Sequence, residues 1–355
     1  MTVMANLASV LARSALGVFG TLVSPRLSIL IFHRVHPKPD PLFPHEPDAA
    51  RFDAMMRYVS STYRVLTLGE AVEHLNRDTL APRSLVITFD DGYADNAEVA
   101  LPILQRHGLR ATFFVSTGFL DGGRMWNDSV IECVRSCGHG LVDLGVFGLE
   151  RFSLNTPAER TTVIDLLLPR IKYLSLSGRE EAISSLQKIC GVATLPADLM
   201  MASDQVRDLH RSGMEIGAHT VNHPILTSIA LPEAECEISD GKRGLESIID
   251  APVDVFAYPN GKPDQDYDYS HVAMVKKLGF RGAVSTAPGV AKSGSDLYQL
   301  PRFTPWGKSI GVWGARLALN QSNYRCLKAA VSVDASIDMS RKNGGQGFKG
   351  SDELT

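Results

Sequence analysis

Residues 85–93 read Leu-Val-Ile-Thr-Phe-Asp-Asp-Gly-Tyr. Val86, Ile87, Thr88 and Phe89 are β-branched or aromatic, and such a run predicts a buried strand. It stops at two adjacent carboxylates, Asp90 and Asp91, and Gly92 supplies a turn. Like charges side by side repel, and burying them is costly unless a cation or hydrogen bonds compensate. These residues alone leave two readings open. One is a solvated turn leading into a helix capped at Asp95 or Asn96; the other is a site that needs negative charge. A distant part of the chain separates them.

Outward from this run, strand and helix patterns alternate. Strands are expected at Leu27–Phe32, Ala111–Val115, Glu215–Ala218, Val253–Tyr258 and Arg281–Val284, with a last extended piece at Tyr298–Phe303. Helices are expected at Phe52–Tyr63, Glu70–Asn76, Asn96–His107, 127–137, Asp204–Arg211, Pro232–Ile249 and His271–Leu278. Repeated βα units imply a parallel sheet, open or closed into a barrel, with chemistry at the carboxyl ends of the strands. Asp90 and Asp91 sit at such an end. Residues 138–200 break the rhythm with Leu-rich and charged helical pieces, and read as a helical insertion.

The strand at 215–218 runs into His219-Thr-Val-Asn-His223-Pro224. Pro224 biases His223 away from the α region, so the two histidines belong to a strand-end loop. Two imidazoles and one carboxylate make the three-ligand set of a catalytic metal site with an open position. A second, unligated carboxylate can then take the proton of an attacking water. The strand at 253–258 ends in Pro259-Asn260-Gly261, an ordinary turn signal whose backbone N–H groups can serve an oxyanion.

Thr88-Phe-Asp-Asp-Gly92, followed roughly 130 residues on by His219-Thr-x-x-His223, resembles the polysaccharide deacetylases of carbohydrate esterase family four. The resemblance runs from about His33 to Phe303, with Phe256–Gly261 where the third motif belongs. It implies a distorted (β/α) barrel and a divalent metal, usually zinc, that hydrolyses N-acetyl groups on amino sugars. By motif it makes Asp90 the base and Asp91, His219 and His223 the ligands, with the Asn260 amide as oxyanion donor. Two positions depart from the pattern. The arginine that orients the base is Ala257 here, with Asn260 for the customary tyrosine, and the histidine of the last motif is Arg302 in Leu300-Pro-Arg. Arg302 can compensate by pairing with Asp90. His33, in Phe32-His-Arg-Val, is read either as the proton donor to the leaving amine or as a core histidine. The Phe-His-Arg-Val and Leu-Pro-Arg segments resemble the branch that modifies exopolysaccharide or lipid-linked glycans. Trp126-Asn-Asp128 reads either as a sugar-stacking platform or as packing plus a helix cap.

Of 355 residues, 44% are hydrophobic and 21% charged, ample for a large core. A net charge of −3 with scattered Lys and Arg excludes a nucleic-acid partner. Five cysteines (133, 137, 190, 236 and 326) do not form a disulfide framework, and Cys133 and Cys137 are expected to be buried thiols. Four units are expected: an N-terminal amphipathic helix within 1–26, the barrel at 27–305 with its insertion at 138–200, a helical extension at 306–339 and a disordered tail at 340–355. Residues 5–23 are apolar around Arg13, which suits peripheral membrane contact better than a span. The expected location is cytoplasmic, at the membrane periphery, with periplasmic as the alternative; the oligomeric state is not encoded legibly. Besides an N-acetylated glycan deacetylase, two alternatives stand: an impaired carbohydrate-binding homologue, or the same fold acting on another C–N amide.

Overall fold

The computed structural model describes residues 25–304, 307, 309–321 and 327–330. The expected N-terminal helix at 5–23, the tail at 340–355 and Cys326 lie outside the described residues. The strands are β1 (Arg26–Phe32), β2 (Arg64–Leu66), β3 (Ser84–Phe89), β4 (Thr112–Val115), β5 (Leu141–Asp143), β6 (Arg151–Ser153), β7 (Glu215–Ala218), β8 (Val255–Ala257), β9 (Gly282–Val284) and β10 (Ala291–Lys292). The helices are α1 (Ala49–Thr62), α2 (Leu68–Asn76), α3 (Leu101–Arg106, after a π turn at Asn96–Ala100), α4 (Trp126–Ser136), α5 (Pro157–Lys172), α6 (Leu176–Cys190), α7 (Ser203–Arg211), α8 (Leu231–Ile249), α9 (Tyr269–Lys277) and α10 (Ile310–Asn320).

Eight strands form one sheet in the order β10-β1-β3-β4-β7-β8-β9, with β2 also paired to β3. Every pairing is parallel except β10 on β1. All six residues of β3 are buried, as expected of a strand covered on both faces. The sheet curls until its ends are bridged by the Leu300–Phe303 segment. Leu300 pairs with Val284 of β9, and Phe303 with Leu30 of β1. This is the distorted barrel, and its core contains Phe89 stacked on Phe113 with ring centroids 4.7 Å apart. The expected strands and helices are present with ends shifted by a few residues, as single-sequence periodicity allows.

Residues 138–200 are less purely helical than expected. β5 and β6 form an antiparallel hairpin before α5 and α6, and three-residue strands carry too little alternation to read from sequence. This segment packs with α4 around its own apolar cluster of Val130, Cys133, Val134, Leu154, Leu167 and Leu186. Cys133, Cys137 and Cys190 are buried free thiols. Among the described residues no helix is long and apolar enough to cross a membrane.

Candidate active site

The ends of β3, β7 and β8 converge on one cavity of about 460 Å³. His33, Asp90, Asp91, His219, His223 and Asn260 all line it. Asp91 Oδ1 lies 3.4 Å from Nε2 of both His219 and His223. One ligand atom from each residue lies within 4.8 Å of the others, the one such group among the described residues. His219 Nδ1 is 2.8 Å from the Ala257 carbonyl, so Nδ1–H donates there and Nε2 is left facing Asp91. Two imidazole nitrogens, that of His219 fixed in direction by the Ala257 carbonyl, and one carboxylate fit a divalent ion with an open coordination position.

The backbone makes this convergence possible at some strain. Asp91 (φ 76°), Thr220 (φ 65°), His223 (φ 52°) and Asn260 (φ 58°) are all left-handed. Such conformations cost non-glycine residues free energy and gather at functional sites. Gly92 follows Asp91 at φ 93°, where an added Cβ would stand 2.9 Å from Val115 Cγ1. Glu237 of α8 holds the histidine loop, accepting from the Val221 and Asn222 amides at 2.9 and 2.8 Å and from Asn222 Nδ2 at 2.7 Å. At the third strand end, Gly261 N–H donates to Pro259 O at 2.6 Å across Asn260, and Tyr258 N–H donates to Val284 O. Pro259 has no N–H, so the Asn260 amide is the one in this turn without a partner among the described residues.

Arg302 lies directly behind Asp90. Its Nη1 and Nη2 donate to Asp90 Oδ1 and Oδ2 at 2.7 and 2.6 Å, and its Nε donates to Ser285 O at 2.9 Å. Both side chains are buried, Arg302 completely. Burial pushes the Asp90 carboxyl up, but the Arg302 guanidinium together with the charges of His219 and His33 outweighs it and holds the group below its ordinary value. Asp91 is likewise lowered: burial opposes ionisation, and the two histidines overcome it. Burial brings His223 down to about 4. His219 moves the other way, because hydrogen bonding to Asp91 and the two carboxylate charges exceed the cost of burial.

His33 is exposed and lines the cavity, which removes its reading as a core histidine. The expected caps are also corrected. Asp95 makes no cap bond but accepts from Arg34 Nε at 2.8 Å and the Val35 amide at 3.2 Å. Asn96 Nδ2 donates to His33 O at 2.9 Å. α4 begins after Met125 with no side-chain cap, so neither Asn127 nor Asp128 caps it. Instead Asp128 is buried in the cavity wall and accepts from the Tyr93 hydroxyl at 3.2 Å. Burial raises its carboxyl to about 7. Arg34 lies 4.7 Å over the Tyr93 ring. The Arg34–Tyr93–Asp128 chain was not foreseen; an arginine beside His33 and a tyrosine two residues past Asp91 were its only signals. The insertion adds Lys172, Tyr173 and Arg179 to the wall.

Residues 77–144 and 179–283 match the family model for polysaccharide deacetylase. The chain carries a polysaccharide deacetylase domain. Members of this family are hydrolases that act on amide bonds of N-acetylated sugars, so an N-acetylated glycan is the class of substrate. The residues unmatched between the two segments, 145–178, fall within the insertion. The curated protein YxkH of Bacillus subtilis is 22% identical over 294 residues, 82% of this chain and 75% of that protein. The solved structure of Streptococcus pyogenes deacetylase PplD with acetate is 19% identical, with a TM-score of 0.55 over 80% of this chain and 94% of that one. IcaB from Ammonifex degensii is 18% identical, with a TM-score of 0.53 over 83% and 97%. At these identities the two structures are similar to the deacetylase domain in fold.

Proposed function

We propose that the protein removes the acetyl group from an N-acetylated amino sugar of a glycan, with Asp90 as general base. Asp91, His219 and His223 would hold a divalent cation; two imidazoles and a carboxylate suit several, non-haem iron among them, and zinc is the one usual in the family. The observation that carries this reading is the bidentate Arg302–Asp90 pair beside the triad. It keeps Asp90 ionised and fixed in direction, which a base needs. The orienting arginine, absent at Ala257, is supplied from the end of the barrel.

When bound, the cation polarises the acetyl carbonyl and acidifies water. Asp90 takes the proton from the water oxygen as that oxygen bonds to the carbonyl carbon. The Asn260 amide, without a partner among the described residues, donates to the oxygen on which negative charge develops. His33, on the open side of the cavity, donates a proton to the amine as the C–N bond breaks. Acetate and a free amino sugar result. Residues 5–23 would keep the enzyme at a cytoplasmic membrane surface.

The test is acetate release from an N-acetylglucosamine oligomer by the zinc-loaded chain, alongside metal analysis. Asp90→Asn is expected to keep the metal and to lose activity by at least a factor of about 100, the scale of general-base catalysis. An Asp90→Asn protein as active as the parent would sink the assignment.

A further inference from the structure

The mechanism above leaves two buried oxygens unused. Asp128 Oδ2 and Asn127 Oδ1 are both shielded from solvent without a hydrogen-bond partner among the described residues, and both residues line the cavity that holds the triad. Buried acceptors are almost always satisfied, so a pair of orphans in a cavity wall points to a ligand. Neither residue has a structural duty at the start of α4, where the cap makes no side-chain bond. Nor can Asp128 swing away to find a partner. Its Oδ1 is held by the Tyr93 hydroxyl, whose ring lies under Arg34, itself tied to Asp95 at 2.8 Å. The group is fixed before any ligand arrives.

We propose that Asn127 and Asp128 are a sugar-reading pair, whose two acceptor oxygens take the hydroxyl hydrogens of the pyranose ring bearing the N-acetyl group. This rests on the deacetylase reading above. The complement of two adjacent acceptors is a pair of donors, and ring hydroxyls supply them without bringing a charge into the wall. The neighbouring Trp126 lines the same cavity and offers an aromatic face of the kind that packs on the C–H face of a sugar ring. Arg179, 5.2 Å from that ring, steadies it from the insertion side. The cavity then has two ends: the triad takes the acetyl group, and the first turn of α4 takes the ring.

The experiment uses the zinc-loaded full chain with an N-acetylglucosamine trimer. It reads kcat and KM by acetate release, and Kd by calorimetry in the Asp90→Asn background. Asp128→Ala and Asn127→Ala are each expected to raise KM and Kd about tenfold, with a smaller effect on kcat. Asp128→Asn keeps the Tyr93 bond and an acceptor, and is expected to recover most of the affinity. It and Asn127→Ala carry the test if Asp128→Ala does not fold. Unchanged KM and Kd in the alanine variants would overturn the proposal. So would a fall in kcat at constant KM, or tighter Asp128-dependent binding of the deacetylated trimer, which would assign the pair to the product ammonium. Asp128-dependent binding without acetate release in the parent would leave the pair standing and remove the deacetylase reading. Acetate release with Asp128-independent KM would do the reverse.

Discussion

Replacing Arg302 with methionine separates a buried ion pair from mere packing. Arg302 and Asp90 share two short charge-assisted bonds in a site where their side chains are 0% and 3% exposed. Removing one member leaves the other charge buried and uncompensated, which costs about 3–5 kcal/mol. Unfolding entropy of about 2.1 cal/mol/K per residue, over 355 residues, gives about 0.7 kcal/mol per degree. The melting temperature of metal-free Arg302→Met should therefore fall by about 4–7 °C at pH 7. Asp90→Asn in the same chain removes the stranded charge, so the double variant should be more stable than Arg302→Met alone, with a coupling of about 2–3 kcal/mol. The pH sign follows from Asp90. Its folded carboxyl lies below the unfolded value, so the parent gains stability above the ordinary carboxylate range and loses it as pH falls through that range. Without Arg302, only the charges of His219 and His33 are left to oppose burial, so that gain shrinks. Thermal unfolding followed by circular dichroism at the four corners of the cycle measures this. Additive melting shifts, with no rescue in the double variant, would refute the reasoning.

Further outcomes are expected from the same structure. His219→Ala and His223→Ala should each lose bound metal by elemental analysis, while Asp90→Asn retains it; equal metal content in all three would contradict the ligand set. Asp128 has the opposite linkage to Asp90. Its carboxyl is raised to about 7 by burial, so the folded state loses stability as pH rises from the ordinary range through 7. The stability gained by Asp128→Asn in metal-free protein should accordingly widen by about 2.5 kcal/mol between pH 5 and pH 8. Denaturant melts at the two pH values read this directly, and a constant gap would oppose it. Glu237→Ala releases the loop between the two histidines and should weaken metal affinity by about 10–100-fold, measured by competition with a chelator.

Residues at strand ends were legible because the signal is local. Asp90 and Asp91 interrupt a buried run, and His219 and His223 do the same after β7. The Arg302–Asp90 pairing could be anticipated only because Ala257 left a role unfilled. What escaped depends on loops meeting in space. Tyr93 and Asp128 are 35 residues apart and share no pattern. Asp95 looked like a helix cap because its type suits one, yet a half-buried arginine beside β1 offered a stronger partner. The Glu237 clamp on 221–222 is invisible in sequence, since a glutamate on a helix usually faces water.

Arg302 also places the chemistry late in the protein's own synthesis. It sits on the segment that bridges β9 and β1, 212 residues after the carboxylate it holds. A growing chain exposes Asp90, then the histidines, long before the guanidinium leaves the ribosome. Until then the wall has a gap, and Asp90 lacks both its counter-charge and its fixed direction. Closing the barrel and pairing Asp90 are one event, so under the proposed mechanism a chain halted before residue 302 is expected to release no acetate.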